Sequence, residues 1–190
     1  IVGQYEMKLA LILTLINPNI GGVLLIGPRG TGKTTSIRGL IDILPFVENS
    51  TCQLGCLPEE IKYFGIDAVC PDCAQKFANN QPISEFSKVK IIELPLNTKL
   101  ENVIGIVEDN DPKKKNNHLK RGVLSLADRN ILYIDEVNLM QNEIINSILD
   151  AAAMGKYTTR QGSFASTFRS RFTLIGSMNP EEGNLRPQIM

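Results

Sequence analysis

Residues 27–34 have the sequence Gly27-Pro28-Arg29-Gly30-Thr31-Gly32-Lys33-Thr34, which matches the pattern G-x-x-x-x-G-K-[ST] at every defined position. A short apolar run at residues 23–26 precedes it, as in a strand buried in a parallel sheet, and residues 33–44 have the pattern of a helix that Pro45 ends. A strand, a glycine-rich loop and a helix in this order open a βαβ unit. The stretch therefore predicts a phosphate-binding loop (P-loop) in an α/β fold.

The residue types in this loop suit nucleotide chemistry. Glycines adopt backbone angles that are closed to other residues, so that successive main-chain N–H groups turn towards phosphate oxygens. We expect Lys33 to neutralise the β- and γ-phosphate oxygens in catalysis, and the Thr34 hydroxyl to be a Mg²⁺ ligand. ATP and Mg²⁺ are therefore the predicted cofactors. The predicted nucleotide contacts in the loop are Gly27, Pro28, Arg29, Gly30, Thr31, Gly32, Lys33, Thr34 and Thr35.

An acidic pair follows a second apolar run. Residues 131–134 are typical of a buried strand, and Asp135 and Glu136 come directly after it. Open α/β sheets bind ligands at the carboxyl ends of their strands. We therefore expect Asp135 to hold the Mg²⁺ shell, through water, and Glu136 to polarise the attacking water as a catalytic residue.

A polar amide ends a third apolar run, at residues 172–176, which Ser177, Met178, Asn179 and Pro180 follow. If this strand lies beside the acidic one, Asn179 is placed to hydrogen-bond the γ-phosphate or the attacking water. Asn before Pro is also good turn chemistry, which is the alternative.

The remaining patterns predict one domain over residues 1–190, with a central parallel sheet flanked by helices and with hairpin insertions. The other predicted helices are 4–16, 122–129 and 142–154. Residues 88–94 predict a further strand, and residues 157–160 and 163–168 predict a β-hairpin. Residues 108–121 predict a polar loop, and residues 46–87 an insertion.

Composition excludes several classes of partner. Lys and Arg number 20 and Asp and Glu also number 20, so no overall field attracts nucleic acid. No apolar run approaches the ~20 residues of a membrane span. The chain opens without Met or a basic leader, which suggests a piece of a longer protein. The four cysteines, whose spacing is typical of metal ligands, indicate a reducing compartment.

Four cysteines lie in the insertion: Cys52, Cys56, Cys70 and Cys73. Both pair spacings allow two thiolates to share one tetrahedral ion, and a loop without its own core would benefit from such a clip. Structural zinc is the favoured interpretation. Cys-x-x-Cys is also a redox spacing, and four unrelated thiols are the third alternative.

With these motifs the chain resembles the AAA+ ATPases, and among them the subunit I family of magnesium chelatases. The resemblance covers most of the chain. It rests on residues 1–4 and 7–11, on the Gly21-Gly22-Val23 approach to the loop, and on Leu94-Pro95-Leu96. Its most specific parts are residues 131–139 (ILYIDEVNL) and 176–188 (GSMNPEEGNLRPQ).

The resemblance implies a motor subunit that assembles into hexameric rings. Such a ring would use ATP so that a large porphyrin-binding subunit, with an integrin-like subunit, inserts Mg²⁺ into protoporphyrin IX on the way to (bacterio)chlorophyll. The resemblance also implies that Ile1 and Val2 lie near the adenine, and that Asn179 is the first sensor. The implied compartment is the cytoplasm or the plastid stroma.

Three departures from the family pattern limit what the resemblance implies. Residues 117–122 replace an acidic Phe-Glu-Pro-Gly-type sequence, and Asn97 stands where a glycine usually follows Leu-Pro-Leu. The family's arginine finger and helical lid would lie beyond Met190. We therefore expect the chain to bind nucleotide but to hydrolyse it ~10³–10⁵ times more slowly than a chain that contains the finger. A cobaltochelatase-type motor, a MoxR-type remodelling protein and a nucleotide-dependent scaffold without turnover are the alternative functions.

Overall fold

The computed structural model describes residues 2–17, 20–108, 118–161 and 164–184. The helices are α1 (Tyr5–Ile16), α2 (Lys33–Gly39), α3 (Pro58–Phe64), α4 (Pro71–Ala78), α5 (Leu100–Ile104), α6 (Val123–Leu126) and α7 (Asn142–Met154). The strands are β1 (Gly22–Ile26), β2 (Phe46–Ser50), β3 (Ser84–Lys88), β4 (Ile91–Leu94), β5 (Gly105–Glu108), β6 (His118–Arg121), β7 (Ile131–Ile134), β8 (Lys156–Gln161), β9 (Phe164–Arg169) and β10 (Thr173–Met178). None of the helices in these ranges combines the length and the apolar character that a bilayer span requires.

The predicted parallel sheet with helices on its sides is confirmed. Four strands pair in the order β1-β10-β7-β4, and every pair is parallel. Successive side chains of a strand point to opposite faces. On β7, Ile131 and Tyr133 therefore pack with α1 and α2, whereas Leu132 and Ile134 pack with α6 and α7. The carboxyl ends of β1, β7 and β10 meet at one edge, where the predicted site residues follow them.

Three antiparallel strand pairs lie outside this sheet in the described ranges. The predicted hairpin near residue 160 is confirmed as β8 and β9, and β2 pairs with β3 and β5 with β6. Part of the polar loop predicted for residues 108–121 is wrong, since His118–Arg121 pairs with β5. Residues 109–117 of that prediction lie outside the described residues.

The strand predicted for residues 88–94 is two strands with different partners. Lys88 ends β3, which is antiparallel to β2, and Ile91 starts β4, which is parallel to β7. Between them the Lys90 N–H donates to Asn130 Oδ1 at 2.9 Å, so the chain leaves one sheet and enters the other. Apolar residues continue through the change, and this continuity made the two strands resemble one.

Helical structure also departs from the prediction. The helix predicted for residues 122–129 is limited to Val123–Leu126, and the helix at Leu100–Ile104 was not predicted. The α-helix predicted to run to residue 44 ends at Gly39, and a 3₁₀ turn over Leu40–Asp42 continues it. The 46–87 insertion, which shows little periodicity, contains α3 and α4 between β2 and β3. The segment therefore has regular structure of its own.

Candidate nucleotide site

The phosphate loop connects β1 to α2 at the carboxyl edge of the sheet. Gly30 and Gly32 have φ of +80° and +83°, a region that favours glycine. The Thr31 hydroxyl donates to the Pro28 carbonyl at 3.0 Å, which closes the turn. Lys33 Nζ donates to two carbonyl oxygens of the loop, Gly27 O at 2.5 Å and Pro28 O at 2.9 Å. The lysine is thus held over the loop, where phosphate oxygens can replace the carbonyls.

Ser177 links the acidic strand to its neighbour, because β10 lies beside β7. Its hydroxyl donates to Asp135 Oδ1 and accepts the Glu136 N–H at 3.3 Å. The Tyr133 hydroxyl donates to Ser177 Oγ at 3.4 Å and lies 3.2 Å from Thr34 Oγ1. One hydroxyl therefore orients the residue expected at the Mg²⁺ and the backbone of the expected catalytic glutamate.

Tyr133 is a neutral donor in this network. Burial raises the pKa of Tyr133 above its ordinary value, and the nearby Asp135 acts in the same direction, against hydrogen bonds with Ser177 and Thr34. The phenol therefore keeps its proton at neutral pH. Neither Tyr133 nor Ser177 was among the predicted site residues. A possible signal for Ser177 is its place at the end of the same apolar strand as Asn179.

Glu136 has an unusual backbone conformation, and its side chain forms an ion pair. Its φ of +52° is rare for a residue other than glycine, and such angles cluster at functional sites. Its carboxylate lies 3.2 Å from Arg29 Nη2, and Arg29 pairs with Glu182 as well. The predicted contact residue Arg29 therefore connects the loop to two carboxylates, of which Glu182 was not predicted.

Asn179 follows β10 and is buried. Its Oδ1 accepts the Glu181 N–H at 3.2 Å, so the side chain caps the 3₁₀ turn over Pro180–Glu182. The turn interpretation is thus observed, and the residue also faces the nucleotide cavity. Its sensor role stays a prediction.

The predicted residues converge on one cavity of about 260 Å³. Its lining residues are Arg29, Gly30, Thr31, Gly32, Lys33, Thr34, Thr35, Asp135, Glu136, Ser177, Met178 and Asn179. Main-chain amides and an ammonium group suit phosphate, and the hydroxyl and carboxylate oxygens suit a hard cation such as Mg²⁺. The cavity fits a magnesium-bound phosphate group.

Three of the predicted nucleotide contacts that the structure describes, Val2, Gly27 and Pro28, are not among the lining residues of this cavity. Ile1 lies outside the described residues. Val2 is fully exposed and does not line the cavity. The adenine contact implied for Ile1 and Val2 stays a prediction.

The four cysteines lie together in the insertion and away from the cavity lining. Their Sγ atoms are all within 4.8 Å of one another. A hydrogen bond with Cys56, assisted by Ser50, lowers the pKa of Cys52 to about 4. The same bond and burial raise the pKa of Cys56, and burial raises that of Cys73 to about 12. The sequence prediction that these thiols share one site is consistent with this arrangement.

Comparison with known proteins gives concordant matches. Residues 97–189 match the family model described as the MCM P-loop domain. The chain is 43% identical to the "Magnesium-chelatase subunit ChlI homolog" of Methanocaldococcus jannaschii over 100% of its own length and 51% of the relative's. It is 41% identical to the "Magnesium-chelatase subunit ChlI" of Mesostigma viride, over 100% of this chain and 52% of that one.

A solved structure supports the same relationship. The complex between subunits BchI and BchD of magnesium chelatase, based on a cryo-EM reconstruction, contains a chain that matches with a TM-score of 0.77 and 35% identity. The match covers 100% of this chain and 56% of that one. The chain spans about half the length of the relatives it matches. It belongs to the magnesium-chelatase subunit I family of AAA+ proteins.

Proposed function

We propose that the whole protein is an ATP-hydrolysing motor subunit of a magnesium chelatase. In this function ATP turnover drives the insertion of Mg²⁺ into protoporphyrin IX, in (bacterio)chlorophyll biosynthesis. The observation that carries the proposal is the convergence of Lys33, Thr34, Asp135, Glu136 and Asn179 on one cavity. The full-length match of this chain to proteins named for that chelatase supplies the biological setting.

The residues have distinct tasks in ATP hydrolysis. Lys33 exchanges its two carbonyl bonds for the β- and γ-phosphate oxygens, and Asn179 holds the γ-phosphate or the attacking water. Thr34 and Asp135 would hold a Mg²⁺ ion, which when bound neutralises phosphate charge. Glu136 accepts a hydrogen bond from the attacking water and so orients it. Phosphoryl transfer needs mainly positioning and charge stabilisation, which these groups supply.

Glu136 must leave Arg29 before it can orient water. The two side chains are 3.2 Å apart, and Arg29 also pairs with Glu182. A triphosphate in the cavity would compete for the Arg29 guanidinium, since arginine binds phosphate strongly. Nucleotide binding would then release Glu136 for catalysis.

The proposed partners are further copies of this subunit in a ring, with six as the expected number, and the other chelatase subunits. The solved relative is itself part of a complex between subunits BchI and BchD. We assign a large porphyrin-binding subunit and an integrin-like subunit to the assembly, and the cytoplasm or plastid stroma as its compartment. ATP and Mg²⁺ are the cofactors of turnover, and a Zn²⁺ ion at the four cysteines would be structural.

A coupled assay on the full-length protein tests this function. The protein is mixed with candidate large and integrin-like subunits, ATP, Mg²⁺ and protoporphyrin IX, and the fluorescence of the metallated porphyrin is followed. We expect ATP-dependent insertion, and loss of both nucleotide binding and insertion in Lys33→Ala, with Lys62→Ala on α3 as the matched control.

Parallel reactions distinguish the alternatives. Insertion of Co²⁺ into a corrinoid precursor, with none of Mg²⁺ into protoporphyrin, would replace the proposal by a cobaltochelatase function. ATP turnover that no tetrapyrrole partner affects would favour a MoxR-type remodelling protein.

A further inference from the structure

The cluster formed by Cys52, Cys56, Cys70 and Cys73, here called the cysteine cluster, does not line the nucleotide cavity. It connects two segments of the insertion: two members follow β2, one precedes α4 and one lies in its first turn. All four are free thiols, and Cys56 and Cys73 are buried. Thiols so distant in sequence meet only because the insertion folds around them.

The arrangement fits a tetrahedral ion. Four thiolates bound to Zn²⁺ at about 2.3 Å are about 3.8 Å from one another. The Sγ atoms already lie within 4.8 Å of one another, so the site needs a contraction on the order of 1 Å at most to close. All four ligands come from sulfur, and no position is left open for substrate, which is typical of a structural rather than a catalytic zinc site.

Main-chain and side-chain groups already donate hydrogen bonds to the cysteine sulfur atoms. The Cys56 N–H donates to Cys52 Sγ and the Cys70 N–H to Cys56 Sγ, both at 3.3 Å, and the Ser50 hydroxyl donates to Cys52 Sγ at 3.4 Å. Such bonds around the ligands orient them and stabilise their negative charge. Two of these donors are the main-chain N–H groups of cysteines in the same cluster, which argues against four unrelated thiols.

The insertion has too small a core to hold this geometry unaided. Its separate core cluster has four buried members, Cys56, Val69, Cys73 and Ile83, of which two are the cysteines themselves, and Leu57 is buried as well. Segments with a core of this size usually need a metal or a disulfide. The cysteine cluster therefore lies where the insertion most needs a cross-link.

The cysteine cluster lies next to the start of α3. Cys56 lies two residues before Pro58, the first residue of that helix. Glu60 Oε1 lies 2.8 Å from Arg169 Nη1, and Glu59 pairs with Arg129. Arg129 precedes β7 and Arg169 ends β9, so these ion pairs join the insertion to the main domain.

We propose that the cysteine cluster is a structural Zn²⁺ site that holds α3 in place, so that Glu59 and Glu60 can pair with Arg129 and Arg169. The two halves of the proposal can be tested separately, and neither depends on the proposed ATPase activity. The ion binds as the thiols lose their protons, and no oxidation or reduction takes place.

Metal content tests the first half. The full-length protein is purified under reducing conditions, without a metal-affinity step, and analysed by mass spectrometry under native conditions and by elemental analysis. We expect one zinc ion per chain. Cys73→Ser and Cys70→Ser are expected to lose it, whereas Asp72→Asn, the matched control between those two cysteines, retains it.

A second measurement keeps the test valid if a cysteine variant does not fold. Wild-type protein is freed of metal with an organomercurial reagent and titrated with Co²⁺. The visible absorption of tetrahedral cobalt thiolate should grow to one equivalent. A metal-free wild-type protein with a reversible disulfide would overturn the assignment in favour of a redox switch, and bound iron with sulfide would overturn it in favour of an iron–sulfur cluster.

Hydrogen exchange tests the second half. On zinc removal the amides of α3 should exchange at least tenfold faster, while those of β7 and β10 stay protected. The double variant Glu59→Gln/Glu60→Gln should keep its zinc and still show faster exchange in α3. Unchanged exchange in α3 after zinc removal would show that the ion does not hold the helix.

Discussion

Ser177 shows how much of the site depends on a single buried hydroxyl. It bonds to the Asp135 carboxylate and to the Glu136 N–H, and it is almost fully buried. A buried donor left without its partner costs about 1–3 kcal/mol, the equivalent of about a 5- to 150-fold effect. The two acidic residues are therefore held together through one side chain.

The variant Ser177→Ala is expected to lower the ATP turnover number of the full-length protein about tenfold or more, and to raise the Mg²⁺ concentration needed for half-maximal rate. The loss follows from misplacement of Asp135 and Glu136, and nucleotide affinity without Mg²⁺ should change little. Steady-state kinetics over a Mg²⁺ series measures both effects.

Ser36→Ala is the matched control for this variant. The Ser36 hydroxyl, in α2, is buried and has no hydrogen-bond partner within the described part of the chain. Its removal should therefore leave turnover and Mg²⁺ dependence unchanged. Equal effects of the two substitutions would contradict the role assigned to Ser177.

Asp128 gives a prediction about pH and stability. Burial raises its pKa above the ordinary 3.8, although the Arg171 N–H, with Oδ1 as acceptor at 2.8 Å, and nearby arginines act in the opposite direction. A raised pKa in the folded state means that folding favours the protonated form. The resulting contribution of Asp128 to the free energy of unfolding is complete below the pKa of the unfolded state and is lost as the pH rises through the pKa of the folded state.

Asp128→Asn keeps an oxygen for the Arg171 N–H and removes the charge. We expect a higher free energy of unfolding than wild type at neutral pH, with the difference shrinking as the pH is lowered towards 3.8. Urea denaturation at several pH values measures it. A wild type that is the more stable at neutral pH would show that the arginines outweigh burial.

At the residue level, the sequence predicted groups whose role follows from a local motif. Lys33, Thr34, Asp135 and Glu136 each stand at a defined place after a strand, and the structure places them in one cavity. Ser177 and Tyr133 were missed because their role comes from pairing between β10 and β7. Strand order is a long-range property, which a single sequence does not state.

At the level of elements, the phosphate loop requires glycine at position 30 because of its backbone angles, and not because neighbouring atoms leave no room for a side chain. Gly30 has φ of +80°, and a Cβ added there meets nothing within 4 Å. Substitution by alanine therefore brings only the cost of the left-handed region, about 1–2 kcal/mol.

Gly30→Ala is expected to lower the free energy of unfolding by about 1–2 kcal/mol, or to turn the loop and weaken ATP binding by a comparable amount. Gly39→Ala is the matched control. Gly39 has φ of −65° and open space, so alanine there should be neutral or stabilising by up to about 1 kcal/mol. Denaturation and nucleotide titration of both variants measure the difference.

The length of a helix affected how closely its sequence pattern predicted it. Pro58 and Pro71 interrupt the apolar pattern of the insertion, yet each is the first residue of a helix, where the missing N–H costs nothing. The helices α1 and α7 were predicted closely because long apolar periodicity extends over three turns. Short helices such as α3 offer no such repeat.

At the level of the whole molecule, the proposed ring predicts that subunits depend on one another. Glu136→Gln should bind ATP and enter the ring but not orient the attacking water. If turnover passes between subunits, mixing this variant with wild type will lower the rate more steeply than the fraction of wild-type subunits. ATPase assays over a series of mixing ratios, at fixed total protein, measure this.

A linear fall in rate with the wild-type fraction would instead show independent sites. Lys62→Ala, which lies on α3 outside the nucleotide cavity, serves as the inert mixing partner. It should leave the rate unchanged at every ratio.

Strand β1 has a practical consequence for work with residues 1–190. It pairs with β10 on one side, and within the described ranges no strand pairs with its other side. Ile26 at its end is also exposed. The unpaired N–H and C=O groups of such an edge strand can pair with the edge strand of another molecule. Residues 1–190 produced alone should therefore tend to aggregate at high concentration.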